Sequence, residues 1–147
     1  MPDFDAITVA LAARFAPGAT TAPTGYDPIT ISTGDLPEAM YPTPCVLTFP
    51  ESGTFTHSPG KRDSVHTFTV RFYFNQTGDL ERDMIALRKW LTVLVDQLRL
   101  ASQLAGIVTQ AKVLGWKAGI LTYAGLPYSG LELSVMVNVN EAWSAVA

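Results

Sequence analysis

Residues 64–75 read SVHTFTVRFYFN. Side chains alternate across a strand, so His66, Phe68, Val70, Phe72 and Phe74 share one face, and Val65, Thr67, Thr69, Arg71 and Tyr73 the other. The first set is apolar and aromatic and the second is mixed. This pattern predicts a strand that buries one side and presents the other. The stretch LELSVMVNVN at 131–140 is of the same kind. Leu131, Leu133, Val135, Val137 and Val139 fall on one face, and Glu132, Ser134, Met136, Asn138 and Asn140 on the other. Two such strands are expected to lie in one antiparallel sheet with a layer across the shared apolar side.

The covering layer is expected from residues 77–104, TGDLERDMIALRKWLTVLVDQLRLASQL. Thr77 or Asp79 is the expected N-cap, and Gly106 lies just past the end. Leu80, Met84, Leu87, Leu91, Leu94 and Leu98 fall near one line at about 100° per residue. At about 25 residues the helix would run roughly 40 Å. Arg82, Lys89 and Asp96 mark its opposite side, with Ile85, Val93 and Leu100 beside them and Trp90 on a flank. A helix apolar on two sides needs two partners: the N-terminal helix, another subunit, or both.

The remaining segments fit around this pair. Residues 3–15 read as a short helix capped by Asp3 or Asp5, with Phe4, Ile7 and Leu11 on one face. Residues 16–44 are rich in Thr, Pro and Gly, with a short edge strand expected at 29–32 and no central strand at 34–44. CVLTFP at 45–50 is a strand, and ESGTFTHSPGKRDS at 51–64 a long hairpin arm turning at Ser58-Pro59-Gly60-Lys61. Beyond Gly106, strands are expected at IVTQAKVLGW and ILTYAG, separated by a turn at Lys117-Ala118-Gly119, with LPYSG as a second turn. The sum is one α+β domain over residues 1–147. It has a mostly antiparallel sheet, one long and one short helix on one face, and a protruding arm.

Composition narrows the function. Of 147 residues, 48% are hydrophobic and 16% charged, against roughly 25% charged in an average globular chain. Low charge leaves apolar surface to be hidden in an oligomer. The net charge is −3 with no basic block, which disfavours electrostatic nucleic-acid binding. AITVALAA at 6–13 is preceded by Asp3 and Asp5 and no Lys or Arg, unlike a secretory signal. No run reaches the ~18 apolar residues of a membrane span, so a soluble chain made in the cytoplasm is expected.

No catalytic, cofactor or metal constellation is visible. His57 and His66 are the only histidines, and with Cys45 and Asp63 they fit no ligand spacing. His66 alternates with core residues. Cys45, the single cysteine, opens an apolar strand, and no sequence feature supplies the base a nucleophile needs. Asp79, Glu81 and Asp83 sit where a helix N-terminus favours acid. Glycines form neither a P-loop nor GxGxxG. The expected role is therefore not enzymatic and needs no cofactor.

The order of elements resembles the tail terminator (head–tail joining) proteins of long-tailed bacteriophages. The resembling pieces are FDAITVALAARF at 4–15, the arm 51–64, VHTFTVRFYFN, the helix from Leu80 to Leu104, and GLPYSGLELSVMVNVN at 125–140. The resemblance is one of layout over nearly the whole chain, with segment 16–44 outside it. It implies a structural virion protein: a six-fold ring that ends tail-tube growth, meets the head's connector or completion protein, and lets DNA through its lumen without specific binding. Another neck or minor tail protein, for head closure or tail completion, stays open, as does a small ligand-binding module using the open sheet face. On this reading the arm residues Phe55, His57, Lys61, Arg62 and Asp63 would touch a neighbouring subunit or the tail tube. The sheet residues Thr69, Arg71, Tyr73, Glu132 and Met136, and the helix residues Arg82, Lys89 and Val93, would form the ring interface or line the lumen.

Overall fold

The computed structural model describes residues 3–58, 61–75, 77–99, 104 and 108–142, with the backbone alone at 57, 58, 61, 62, 141 and 142. The decisive stretch lies in β3 (Lys61–Phe74), which pairs antiparallel with β2 (Cys45–Ser58) on one side and β5 (Leu126–Ala142) on the other. β1 (Ile31–Thr33) runs parallel to β2 at one edge of the sheet, and β4 (Gln110–Tyr123) pairs with β5 at the other. The strand order is β1-β2-β3-β5-β4. With α1 (Phe4–Ala13) and α2 (Leu80–Arg99) the fold is α+β, as the alternation implies.

Both helices cover the same face. Phe68, Val70 and Phe72 from β3 and Leu131, Leu133, Val135 and Val137 from β5 are buried in one cluster with Ile7 and Leu11 of α1 and Trp90 and Leu94 of α2. Asp3 caps α1, its carboxylate accepting from the Ala6 N–H at 3.0 Å. His66 is also buried, with its ring edge-on to Phe4 at 4.7 Å between centroids.

The buried stripe of α2 is rotated from the leucine line. Leu80 is 71% exposed and Met84 is also exposed, whereas Asp83, Ala86 and Trp90 are buried with Leu87, Leu94 and Leu98. Trp90 brings the largest apolar area of the helix and lies against Phe72 at 4.6 Å, so it sets the rotation. Asp83 is buried at the helix start, where it accepts from the Thr77 hydroxyl at 2.7 Å, the Thr77 N–H and the Ser129 hydroxyl at 3.2 Å. That bonding is what makes a buried carboxylate tolerable. Asp79 is the cap, accepting from the Arg82 N–H at 3.2 Å. The helix spans 20 residues, about 30 Å, shorter than the predicted reach. Leu100 and residues 101–103 lie outside the described residues.

The second side of α2 meets the segment that follows α1. The Gln97 side-chain amide donates to the carbonyls of Arg14 at 2.9 Å and Ala19 at 2.8 Å. Lys89 lies over the Tyr26 ring, 5.5 Å from its centroid. The Thr/Pro-rich segment thus acts as a strap along the helix flank.

Two strand expectations change. Lys117-Ala118-Gly119 is not a turn, because β4 runs through it as one strand of 14 residues, with a bulge between Val113 and Gly115. The Leu126–Gly130 stretch, expected as a turn, opens β5. The hairpin turn is Ala124-Gly125, both with positive φ (52° and 80°), the geometry of a tight two-residue loop whose twist matches the strands. The arm also gains a strand: β5 follows β3 as far as Lys61↔Ala142, so the arm is three-stranded. Its expected turn residues Pro59 and Gly60 lie outside the described residues.

Candidate functional site

The outer face of the sheet, away from the helices, has two zones. In the first, Cys45, Leu47, Tyr73 and Tyr128 are buried together, with Met40, Tyr41, Leu121 and Tyr123 packed against them. The cover is the turn-rich segment 34–44. The Tyr41 hydroxyl donates to the Asp35 carbonyl at 3.0 Å, and the Tyr123 hydroxyl donates to the Pro37 carbonyl. The three prolines of this segment keep it out of the ladder and leave it free to fold across the sheet. Burial raises the Tyr73 pKa, with Arg71 pulling the other way. Burial also raises the Cys45 thiol to about 11, so the sulfur stays protonated at neutral pH and is a poor nucleophile.

The second zone is polar and in part open. Arg71 and Glu132 are directly opposed across β3 and β5, and the guanidinium Nε meets Oε2 at 2.8 Å. Arg71 also lies over the Phe49 ring, 5.3 Å from its centroid. Burial alone would lower the Arg71 pKa, but hydrogen bonds and charge from Tyr73 and Glu132 prevail and raise it. The Thr69 hydroxyl donates to Glu51 at 2.8 Å. Thr67 faces Met136, and Thr69 faces Ser134. Lys112 and Lys117 of β4, both exposed, sit opposite Met136 and Glu132 and complete this zone. Its charges are mixed, and the Arg71 cation is already satisfied by a carboxylate, which is not how a phosphate-binding stripe is built.

The structure therefore brings Arg71, Thr69, Glu132 and Met136 onto one surface and separates them from the rest of the expected site. Tyr73 shares their face but is taken up by the small outer core, and Thr69 is buried beneath Glu51, so neither side chain is presented to a neighbour. Arg82 and Lys89 are exposed on α2, across the sheet, and Val93 is partly buried against the main core. In the arm, Phe55 is 43% exposed and its ring is edge-on to His66 at 5.2 Å. Asp63 is exposed and sits between Thr56 and Asn140 in the ladder. His57, Lys61 and Arg62 hold the arm's end through backbone pairing, and their side chains lie outside the described residues. Glu51 and Phe49 were not expected in the site, since their roles come from cross-strand neighbours that only the register reveals.

Among the described residues, no group of three or more His, Cys, Asp or Glu side chains is arranged to hold a metal ion, and no helix is long and apolar enough to cross a membrane. No protein-family model matches the sequence, and no curated protein matches it.

Proposed function

We propose that this chain is a structural subunit of a phage virion. It would assemble as a ring, with six copies expected, at the head-proximal end of a long tail, ending tube growth and joining tail to head. The observation that carries this reading is the three-stranded arm. Strands β2, β3 and β5 continue together past the last residue pair that β5 makes with β4, Gln110↔Asn138. Past that pair, Phe55 and Thr56 of β2, Asp63 of β3 and Asn140 of β5 are exposed, while Ser64 and Val139 remain buried. A strand ribbon that carries exposed side chains such as Phe55 away from the helices gains stability by docking on something else. The polar zone around Arg71 and Glu132 supports the same reading, as a surface ordered by cross-strand pairs and available to a ring neighbour or the lumen. Its mixed charge, with Arg71 paired to Glu132, suits a passage through which DNA slides without being held.

The test is to add the purified chain to polymerising tail-tube protein of a long-tailed phage and measure tube lengths by negative stain. Shortened tubes with a ring at one end are expected. Unchanged lengths and bare ends at saturating concentration would overturn the proposal. Capping at the opposite end, or binding to the connector alone, would move the chain to another position in the neck.

A further inference from the structure

We propose that the β4 edge of one copy docks into the opposite edge of the next, between α1 and the start of the arm, so that copies associate head to tail. This rests on the ring reading only for closure; the contact itself stands on two patches at opposite ends of the sheet.

The first patch is a projection. β4 is an edge strand of 14 residues. Its bulge leaves Leu114 without a ladder partner, and Leu114, Trp116 and Ile120 are 56%, 56% and 61% exposed. Leu114 and Trp116 stand beside an open groove of about 480 Å³ between β4 and α2, with Leu91 and Val95 on its far side. Three large apolar side chains on one free edge are more than the single exposed hydrophobics that need no explanation.

The second patch is a recess. At the other end of the sheet, Phe4, Pro50, Phe55 and the buried His66 line an open hollow of about 430 Å³. A second hollow of about 340 Å³ shares Phe4 and Pro50 with it and extends along α1 to Val9, which is 61% exposed. Among the described residues, β1 pairs with Cys45, Val46 and Leu47, and no strand pairs with the outer edge of β2 beyond Leu47.

Charge selects the occupant. Among the described residues, Asp96 is the one charged residue on the lining of the groove, but along β4 itself and at the end of α2 the exposed charges are Lys112, Lys117 and Arg99. Around the recess, the exposed charged residues on its lining, among the described residues, are Asp5, Asp35 and Glu51. A second copy of this chain brings a basic rim to an acidic one and an apolar projection to an apolar recess. Pairing β4 with β4 would instead face lysines with lysines. Two different patches at opposite edges make a heterologous contact, which closes into a ring when the rotation allows.

Trp116→Glu is the decisive substitution, because the side chain is exposed and its loss leaves the core intact. Its expected effect is a rise of about 10-fold or more in the concentration at half-assembly, read by light scattering, with an unchanged melting temperature. Lys117→Glu is expected to weaken assembly, and combination with Glu51→Lys or Asp5→Lys to restore it in part. In a mixture, Leu114→Cys protein is expected to cross-link through a short bismaleimide to Val9→Cys protein, and not to itself. Oligomers insensitive to Trp116→Glu, or cross-links between two Leu114→Cys chains, would overturn the edge contact while leaving the ring proposal standing. Edge cross-links in a protein that does not cap tubes would uphold the contact and overturn the proposed function. A wild-type chain that stays monomeric at every concentration would overturn the contact as well.

Discussion

On its inner face the sheet meets two helices, through Trp90 and Leu94 of α2 and Ile7 and Leu11 of α1. On its outer face, half of it meets only the turn-rich segment 34–44, through Met40 and Tyr41, and the other half is left polar. The same strands supply both faces: Phe72 points into the large core, and its neighbour Tyr73 into the small one. The contrast shows how one sheet serves two ends. The helix-covered side holds the main core, and the other side carries a small core under a loop in one zone and a polar surface in the other.

Substitutions on the two faces are expected to separate accordingly. Trp90→Ala, on the inner face, removes the largest buried side chain of α2 and is expected to cost about 3–5 kcal/mol in urea unfolding. A loss below about 1 kcal/mol would mean that α2 does not hold the sheet as described. Asp83→Ala is next. It frees Thr77 and Ser129 at the junction of helix and sheet and is expected to cost about 2–3 kcal/mol. Asp83→Asn, which keeps an acceptor, should recover part of that in the same assay.

The small outer core has a pH signature of its own. Cys45 has a folded-state pKa raised from 9.0 to about 11, and that of Tyr73 is raised as well. A raised pKa gives stability that is present in full below the unfolded-state value and lost as pH climbs through the folded-state value. Stability is therefore expected to fall from about pH 9 upward, with Cys45 contributing about 2–3 kcal/mol by pH 11. Denaturant midpoints measured at pH 8 and pH 11 check this. Cys45→Ala should flatten the slope, and an identical slope would place the titrating group elsewhere.

Arg71→Glu sits at the small end for stability. Its pair with Glu132 is only partly buried, so the monomer is expected to lose no more than about 1 kcal/mol, read by thermal melting. Assembly is expected to weaken more than folding, because reversal places two carboxylates opposite each other on the free zone. Assembly unchanged at every concentration would remove the polar zone from the interface and leave the sheet edges as its sole candidates.

The sequence made the inner face readable where polarity alternates cleanly. Leu131 to Val139 are buried at every second position, as the pattern predicts. Reading by leucine spacing misplaced the α2 stripe, since Trp90 and Ala86 weigh less in such a pattern than the leucines and Asp83 is buried by hydrogen bonds that periodicity does not register. Gly119 suggested a turn inside β4, yet it pairs with Gly130 in a continuous ladder. The outer core was hidden for a different reason. Segment 34–44 has no period, and its cover over Tyr73 and Cys45 is a long-range contact that no local preference encodes. Arg71 and Glu132 were both legible as members of a mixed face, but their direct opposition depends on register.

The most direct test of the ring claim is the solution mass across concentration, by light scattering, with and without tail-tube protein, followed by negative-stain imaging of the largest species. The expected result is a six-fold mass and rings with a central opening. A single-chain mass under every condition, with no ring on any tube, would contradict it.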